Sequence, residues 1–173
     1  MTRDFIRETT QAGYSNLTAH DFVQLKIHGA SIDFMRDLKR AGYNLSAKEV
    51  TELKIHGVDS EYMRDLKSFG LKPDQRDLVQ LKIHGVSVEY LKGLKDAGYP
   101  SLPIETVTQF RIHGVSTDFL RDARSLGYNF APQEVVELRI HGVDGAYLRK
   151  LRDSGMRNLN AQQIAKLKIH GVN

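Results

Sequence analysis

The tripeptide Ile-His-Gly occurs six times in this chain, at Ile27-His28-Gly29, Ile55-His56-Gly57, Ile83-His84-Gly85, Ile112-His113-Gly114, Ile140-His141-Gly142 and Ile169-His170-Gly171. Successive histidines lie 28, 28, 29, 28 and 29 residues apart. A fixed period of this size marks a repeat architecture, in which each unit is too small to bury its own apolar face and stacks on copies of itself. When each unit is closed one residue after the glycine, the boundaries fall at 2–30, 31–58, 59–86, 87–115, 116–143 and 144–172, so one helical-repeat domain spans 1–173.

A second glycine divides every unit, at Gly13, Gly42, Gly70, Gly98, Gly127 and Gly155. Glycine is favoured where the backbone turns left-handed just past a helix, so two glycines per unit predict two helices per unit. The first helix starts at a capping residue (Thr2, Ser31, Asp59, Ser87, Ser116, Asp144), usually with an acid two positions later, as at Asp33 and Glu61. Gly145-Ala146 breaks that rule in the last unit. In the second unit Phe34, Met35, Leu38 and Ala41 form one apolar helical stripe. The second helix opens on Ser46-Ala47-Lys48-Glu49, a capping box, with Asp74 and Asn160 in the serine position elsewhere and Pro103 and Pro132 near the same start.

Helices of about 11 residues, roughly 16 Å long, are marginal alone in water. The expected fold is therefore an all-α solenoid of six tandem two-helix repeats. Thr9 and Thr10 stand where the next unit has Leu38 and Lys39, which predicts a polar N-terminal cap on the array. Three units carry one extra residue, each time in the loop between the two helices, where it leaves the helix faces in register. The aromatic residue after the first glycine (Tyr14, Tyr43, Tyr99, Tyr128) fits the apolar contact of a helix stop, and Phe34, Tyr62, Tyr90, Phe119 and Tyr147 are expected in the core.

Composition narrows the chemistry. The 25 basic and 21 acidic residues are interspersed, giving a net charge of +4, and the mean hydropathy is -0.41 with a pI near 9.3. These values describe a folded, soluble protein with a mild basic excess. Cysteine is absent, which removes disulfides and thiolate chemistry. The first residues, Met1 to Ile6, have no apolar stretch of the secretory kind, and no run approaches the roughly 20 apolar residues of a spanning helix, so no membrane insertion is expected and the compartment is open.

The repeated histidines invite a metal reading, but a single imidazole per unit, about 10 Å from the next, cannot meet another on one ion at a bond length of about 2 Å. His28, His56, His84, His113, His141 and His170, with Gly29, Gly57, Gly85, Gly114, Gly142 and Gly171, are read as helix-stop residues, the histidine meeting the negative helix end and donating to free carbonyls or to the next cap. Basic ladders come next. Arg7, Arg36, Arg64, Lys92, Arg121 and Arg149 recur in the first helix, with Lys39, Lys67, Lys95, Arg124 and Arg152 three residues on, and Lys26, Lys54, Lys82, Arg111, Arg139 and Lys168 near the end of the second. Arg36, Arg64, Lys92, Arg121 and Arg149 are the candidate binding residues, as a cationic stripe for phosphate or an acidic partner. Against this stand i,i+3 acids such as Asp33 and Glu61 and the diluting Asp37, Asp65 and Asp122. No metalloprotease, nucleophile-elbow, Walker or dinucleotide motif is present, so no enzyme activity and no cofactor are expected.

The phrase Leu-Lys-Ile-His-Gly-Val followed by Tyr-Met-Arg-Asp-Leu-Lys or its near copy, at Leu53 to Gly70 and Leu81 to Tyr99, resembles the C-terminal helical repeats of some bacterial BlaR-like membrane metallopeptidases and related uncharacterised proteins. The resemblance covers nearly the whole chain but not the zinc-binding helix or membrane spans of such peptidases. It implies a sensor, regulatory or partner-binding appendage and carries over no catalytic residue. Two-helix repeats also resemble transcription-activator-like effectors, whose variable inter-helix residues read bases, yet His-Gly never varies here. The expected function is a non-catalytic scaffold for protein or peptide partners, with non-specific nucleic-acid binding through the basic ladder as the alternative.

Overall fold

A computed structural model describes residues 3–172, and among these the chain is all-α. It divides into two compact units, Met1–Ile83 and His84–Asn173. The first holds α1 (Arg3–Gln11), α2 (Ala19–Ile27), α3 (Ile32–Arg40), α4 (Ala47–Ile55), α5 (Ser60–Ser68) and α6 (Gln75–Ile83). The second holds α7 (Val88–Asp96), α8 (Ile104–Ile112), α9 (Thr117–Ser125), α10 (Pro132–Ile140), α11 (Gly145–Asp153) and α12 (Ala161–Ile169). Each helix is 9 residues, shorter than the 11 expected, because the residue before each glycine has already left the helix as its C-cap. Ala41 is one of these C-caps and is exposed, so it drops out of the predicted apolar stripe. No helix among the described residues is long and apolar enough to cross a membrane.

Packing follows a rule of every second helix. In the first unit α1 packs on α3 and α3 on α5, while α2 packs on α4 and α4 on α6. In the second unit α7, α9 and α11 pack in series, and α8, α10 and α12 do the same. Each unit thus has a layer of first helices and a layer of second helices, the arrangement of tandem hairpins in a helical solenoid.

The helix ends explain the register. Ser31, Asp59, Ser87, Ser116 and Asp144 accept from the backbone N–H three residues on, at 2.7–3.1 Å. Thr2, the cap expected for α1, lies outside the described residues. Thr18, Ser46 and Asn160 close full capping boxes with Asp21, Glu49 and Gln163. The backbone and hydroxyl of Thr18 hold the Asp21 carboxyl below its ordinary range, and Ser46 does the same for Glu49. At the far end the stops are Schellman motifs. Gly57 donates to Lys54 O at 3.0 Å and Val58 to Leu53 O at 2.9 Å, with Gly57 at φ 71°.

The residue after five of the six Ile-His-Gly triplets, Ala30, Val58, Val86, Val115 or Val143, is buried, as are Leu25, Leu53, Leu81, Phe110 and Leu138 of the second helices, whereas Val172 after the last is 37% exposed. Thr9 corrects the polar-cap expectation: its side chain is fully buried where α3 has Leu38, and its hydroxyl has no partner. Only Thr10 faces out, bonded to Ile6 O. The extra residue in two of the long loops is absorbed by a left-handed asparagine, Asn16 at φ 61° and Asn158 at φ 59°.

Neighbouring first helices fit through size and charge. A Cβ on Gly93 would sit 2.6 Å from Thr117 Cγ2, and one on Gly145 only 2.0 Å from Asp122 Oδ2. Asp122 also pairs with Arg149 at 2.7 Å. The break at Gly145-Ala146 therefore makes room for an aspartate on the preceding first helix. In the other unit, a hydrogen bond from Ser60 is the main reason the Asp37 carboxyl lies below its ordinary range.

Candidate functional site

The eighth residue of every second helix is a cation, and its own hairpin uses it. Lys26, Lys54, Lys82, Arg111, Arg139 and Lys168 each lie over the first-helix aromatic, Phe5, Phe34, Tyr62, Tyr90, Phe119 and Tyr147, at 3.9–5.4 Å from the ring centroid. The same cations serve stray carbonyls at the helix stops. In two of the three hairpins with phenylalanine, Lys54 Nζ and Arg139 NH1 donate to Val58 O and Val143 O at 3.4 and 2.8 Å. In two hairpins with tyrosine, the phenol does this instead, Tyr90 to Val115 O at 2.8 Å and Tyr147 to Val172 O at 2.7 Å. Burial pushes the Tyr62 and Tyr90 phenols up to about 12. That lies above the ordinary value of 10.0, so their contribution to stability is complete below pH 10 and is lost as pH rises toward 12.

His28, His56, His113, His141 and His170 occupy the C-cap positions of their helices, and the following glycines have φ between 64° and 71°. Of the imidazole rings, His113 bonds Gln109 Oε1 at 3.1 Å. A cation also reaches the carbonyl of a histidine itself: Arg111 Nε donates to His84 O at 3.0 Å, with its guanidinium 3.1 Å from where a Gly85 Cβ would stand. At Gly85 glycine thus satisfies both a left-handed backbone and the approach of a neighbour's cation, while Gly29, Gly57 and Gly171 have only the backbone requirement. No group of three or more His, Asp and Glu able to hold a metal ion occurs among the described residues.

The first-helix ladder is paired with acids. Arg7 meets Asp4 at 2.9 Å, Arg36 meets Asp33 at 3.5 Å, Arg121 meets Asp118, and Arg149 meets Asp122. Arg64 lies close enough to Asp37, and Lys92 to Glu89, to lower those carboxyls, each as a minor cause. The second row is also engaged in part. Lys39 bonds Asn44 and covers the Tyr14 ring, and Arg124 donates to Ala97 O at 2.8 Å, lying over Gly98 where no Cβ would fit.

The ninth residue is different. Ile27, Ile55, Ile83, Ile112, Ile140 and Ile169 are 48–67% exposed. On a helix, position nine lies within about 20° of position two and about 60° of position six. Those positions are His20, Lys48 and Arg76, and Gln24, Glu52 and Gln80, in the first unit. In the second unit they are Glu105, Gln133 and Gln162, and Gln109, Glu137 and Lys166. Within each unit the second-helix layer therefore carries a constant isoleucine row beside two polar rows whose identities change. Between α2 and α4 the surface sinks into a cleft of about 550 Å3, lined by His20, Asp21, Gln24, Lys48, Thr51, Glu52 and Ile55. Sequence reasoning took Ile-His-Gly as a stop signal and missed this row. A helical projection placing Ile55 above Lys48 and Glu52 would have found it.

A second cleft, of about 750 Å3, opens on the loop side of the second unit around Tyr128, Asn129, Arg152, Arg157 and Asn158. The loop tyrosines Tyr43 and Tyr99 donate to Pro73 O and Phe130 O of the next loop at 2.6 and 2.7 Å. Tyr128 instead stacks on Phe130 with centroids 5.0 Å apart, and the space that a loop-to-loop contact would fill is left open. The chain matches no protein-family model and no curated protein.

Proposed function

We propose that this chain is a non-catalytic helical-repeat scaffold that binds protein or peptide partners through the second-helix face of its hairpins. The isoleucine row carries the reading. A β-branched apolar side chain about half in water, at the same position of every hairpin, contributes little to folding, and its recurrence six times suits a set of anchors for a partner. The polar rows beside it vary from hairpin to hairpin, which suits a surface with common anchors and local selectivity. The likeness of Leu53–Gly70 and Leu81–Tyr99 to the C-terminal repeats of BlaR-like membrane metallopeptidases supports a sensory or regulatory appendage. The nucleic-acid alternative loses ground because its candidate cations, Arg36, Arg64, Lys92, Arg121 and Arg149, face acids of their own layer.

The test is photo-crosslinking in cells from a reactive residue at position Gln80 or Gln109, followed by affinity measurement with the purified partner. Ile55→Asp and Ile140→Asp together are expected to weaken that affinity by at least about tenfold, while Arg36→Ala leaves it within about twofold. Undiminished binding by the isoleucine variant would overturn the reading. Tight, steeply salt-dependent binding of duplex or single-stranded DNA, abolished by neutralising the first-helix ladder, would replace it with the nucleic-acid one.

A further inference from the structure

Net charge is not spread evenly along the array. The last hairpin, 144–172, has six basic residues against two acidic ones, an excess equal to the +4 of the whole chain, so the five hairpins before it balance to zero. Both of its acids are engaged: Asp144 caps the Tyr147 N–H at 2.7 Å, and Asp153 meets Arg152 Nε at 3.4 Å. The first turn of α12 has no acid either, since Gln163 stands where α10 has Glu134 and α4 has Glu49. Of the cations, Arg149 is answered by Asp122 and Lys168 lies over Tyr147. Two others, Arg152 and Arg157, stand in the loop-side cleft of about 750 Å3, together with Tyr128, Asn129, Glu134 and Asn158. That volume is in the range of small-molecule sites.

Polar groups in this cleft lack the partners that their counterparts have. Arg124, one hairpin earlier, donates to Ala97 O, and Lys39 bonds Asn44, whereas Arg152 bonds only its neighbour Asp153 among the described residues. Arg157 makes no hydrogen bond or ion pair with a described residue, and the Tyr128 phenol, unlike those of Tyr43 and Tyr99, has no carbonyl to serve. Burial raises the Tyr128 pKa and the nearby Arg152 pulls it back, which sets the guanidinium beside the phenol. The one carboxylate in the lining, Glu134, already accepts the Ala131 N–H at 2.7 Å. We infer that this cleft takes a nucleotide, its phosphate held by Arg152 and Arg157 and its base laid against the Tyr128 ring. Guanidinium forks match phosphate oxygens in pairs, and a dianion answers two arginines where a single carboxylate answers one. The Tyr128 ring is braced by Phe130, with 13° between the planes, and gives a flat base a preset platform. The amides of Asn129 and Asn158 supply donors and acceptors for its edge. This site lies on the loop side of the second unit and does not depend on the isoleucine row.

Isothermal titration calorimetry of the full chain with adenosine monophosphate, adenosine and inorganic phosphate tests it. The monophosphate is expected to bind with a Kd below about 1 mM, and adenosine and inorganic phosphate each at least about tenfold more weakly. Arg152→Gln/Arg157→Gln should weaken the monophosphate at least about tenfold, and Tyr128→Leu at least about fivefold with inorganic phosphate unchanged. Lys67→Gln/Lys72→Gln, the same loss of charge in the first unit, should change its affinity less than about twofold. Thermal unfolding followed by circular dichroism verifies that each variant is folded. An adenylate hexamer bound more than about tenfold tighter than the monophosphate, with a steep loss in salt, would assign the site to a single strand, and a smaller gain to a free nucleotide. Adenosine or inorganic phosphate binding as tightly as the monophosphate, an equal loss from the lysine control, or no heat up to about 10 mM monophosphate would overturn the site.

Discussion

The two helix layers of each unit meet solvent in opposite ways. On the first helices charge answers charge: Arg36 has Asp33, Arg121 has Asp118, Arg149 has Asp122, and Arg124 has a backbone carbonyl. On the second helices the cation at position eight is turned back onto an aromatic ring, and the isoleucine beside it is left in water. Adjacent residues in one helical turn have separate duties, one closing the hairpin and one facing whatever lies outside. The lesson is that in a repeated phrase a fixed residue need not be a structural one. Position eight is fixed by contacts within the molecule. Position nine is left about half in water.

That contrast can be attacked from below. Both layers stand on the same buried floor, so Leu38→Ala, which empties a fully buried site in α3, is expected to cost about 2–5 kcal/mol in urea unfolding. A cost under 1 kcal/mol would mean that the first-helix layer is not the packed foundation described. Removing a position-eight cation comes next. Arg111→Ala takes away the bond to His84 O and the stacking on Tyr90, an expected loss of about 1–2 kcal/mol by the same measurement. Arg36→Ala, on the other layer, breaks an exposed pair and is expected to cost less than about 0.5 kcal/mol, shrinking further at high salt. Ile55→Ser should be smallest of all in stability, within about 0.5 kcal/mol of zero, and so separates folding from binding. If Ile55→Ser instead unfolded the protein, the isoleucine row would belong to the core and the contrast would collapse.

Much of this architecture was legible in the letters. Capping residues and left-handed glycines obey local rules, so Ser46, Glu49 and Gly57 could be placed without knowing what packs on them. Burial of Phe34, Tyr62 and Tyr90 followed from helical spacing. What escaped depends on neighbours distant in sequence. The approach of Arg111 to Gly85, the fit of Asp122 against Gly145 and the ring under each position-eight cation need an element 20 to 26 residues away. Thr9 misled because a threonine among leucines looks like surface, yet its place in the layer buries it. The isoleucines were hidden by their company, since an apolar residue beside a histidine and a glycine reads as punctuation.

The exchange between a tyrosine hydroxyl and a lysine or arginine at the stop carbonyl has a reach beyond any one hairpin. Either donor comes from the same 28- or 29-residue stretch as the oxygen it serves, in each of the four instances given above. A copied cassette would therefore arrive with its own fastening already aboard. A gene of this design that gained a cassette by recombination would gain one exposed isoleucine with it, while the joints between cassettes, such as Arg111 on His84 O and Arg149 on Asp122, would still have to be matched.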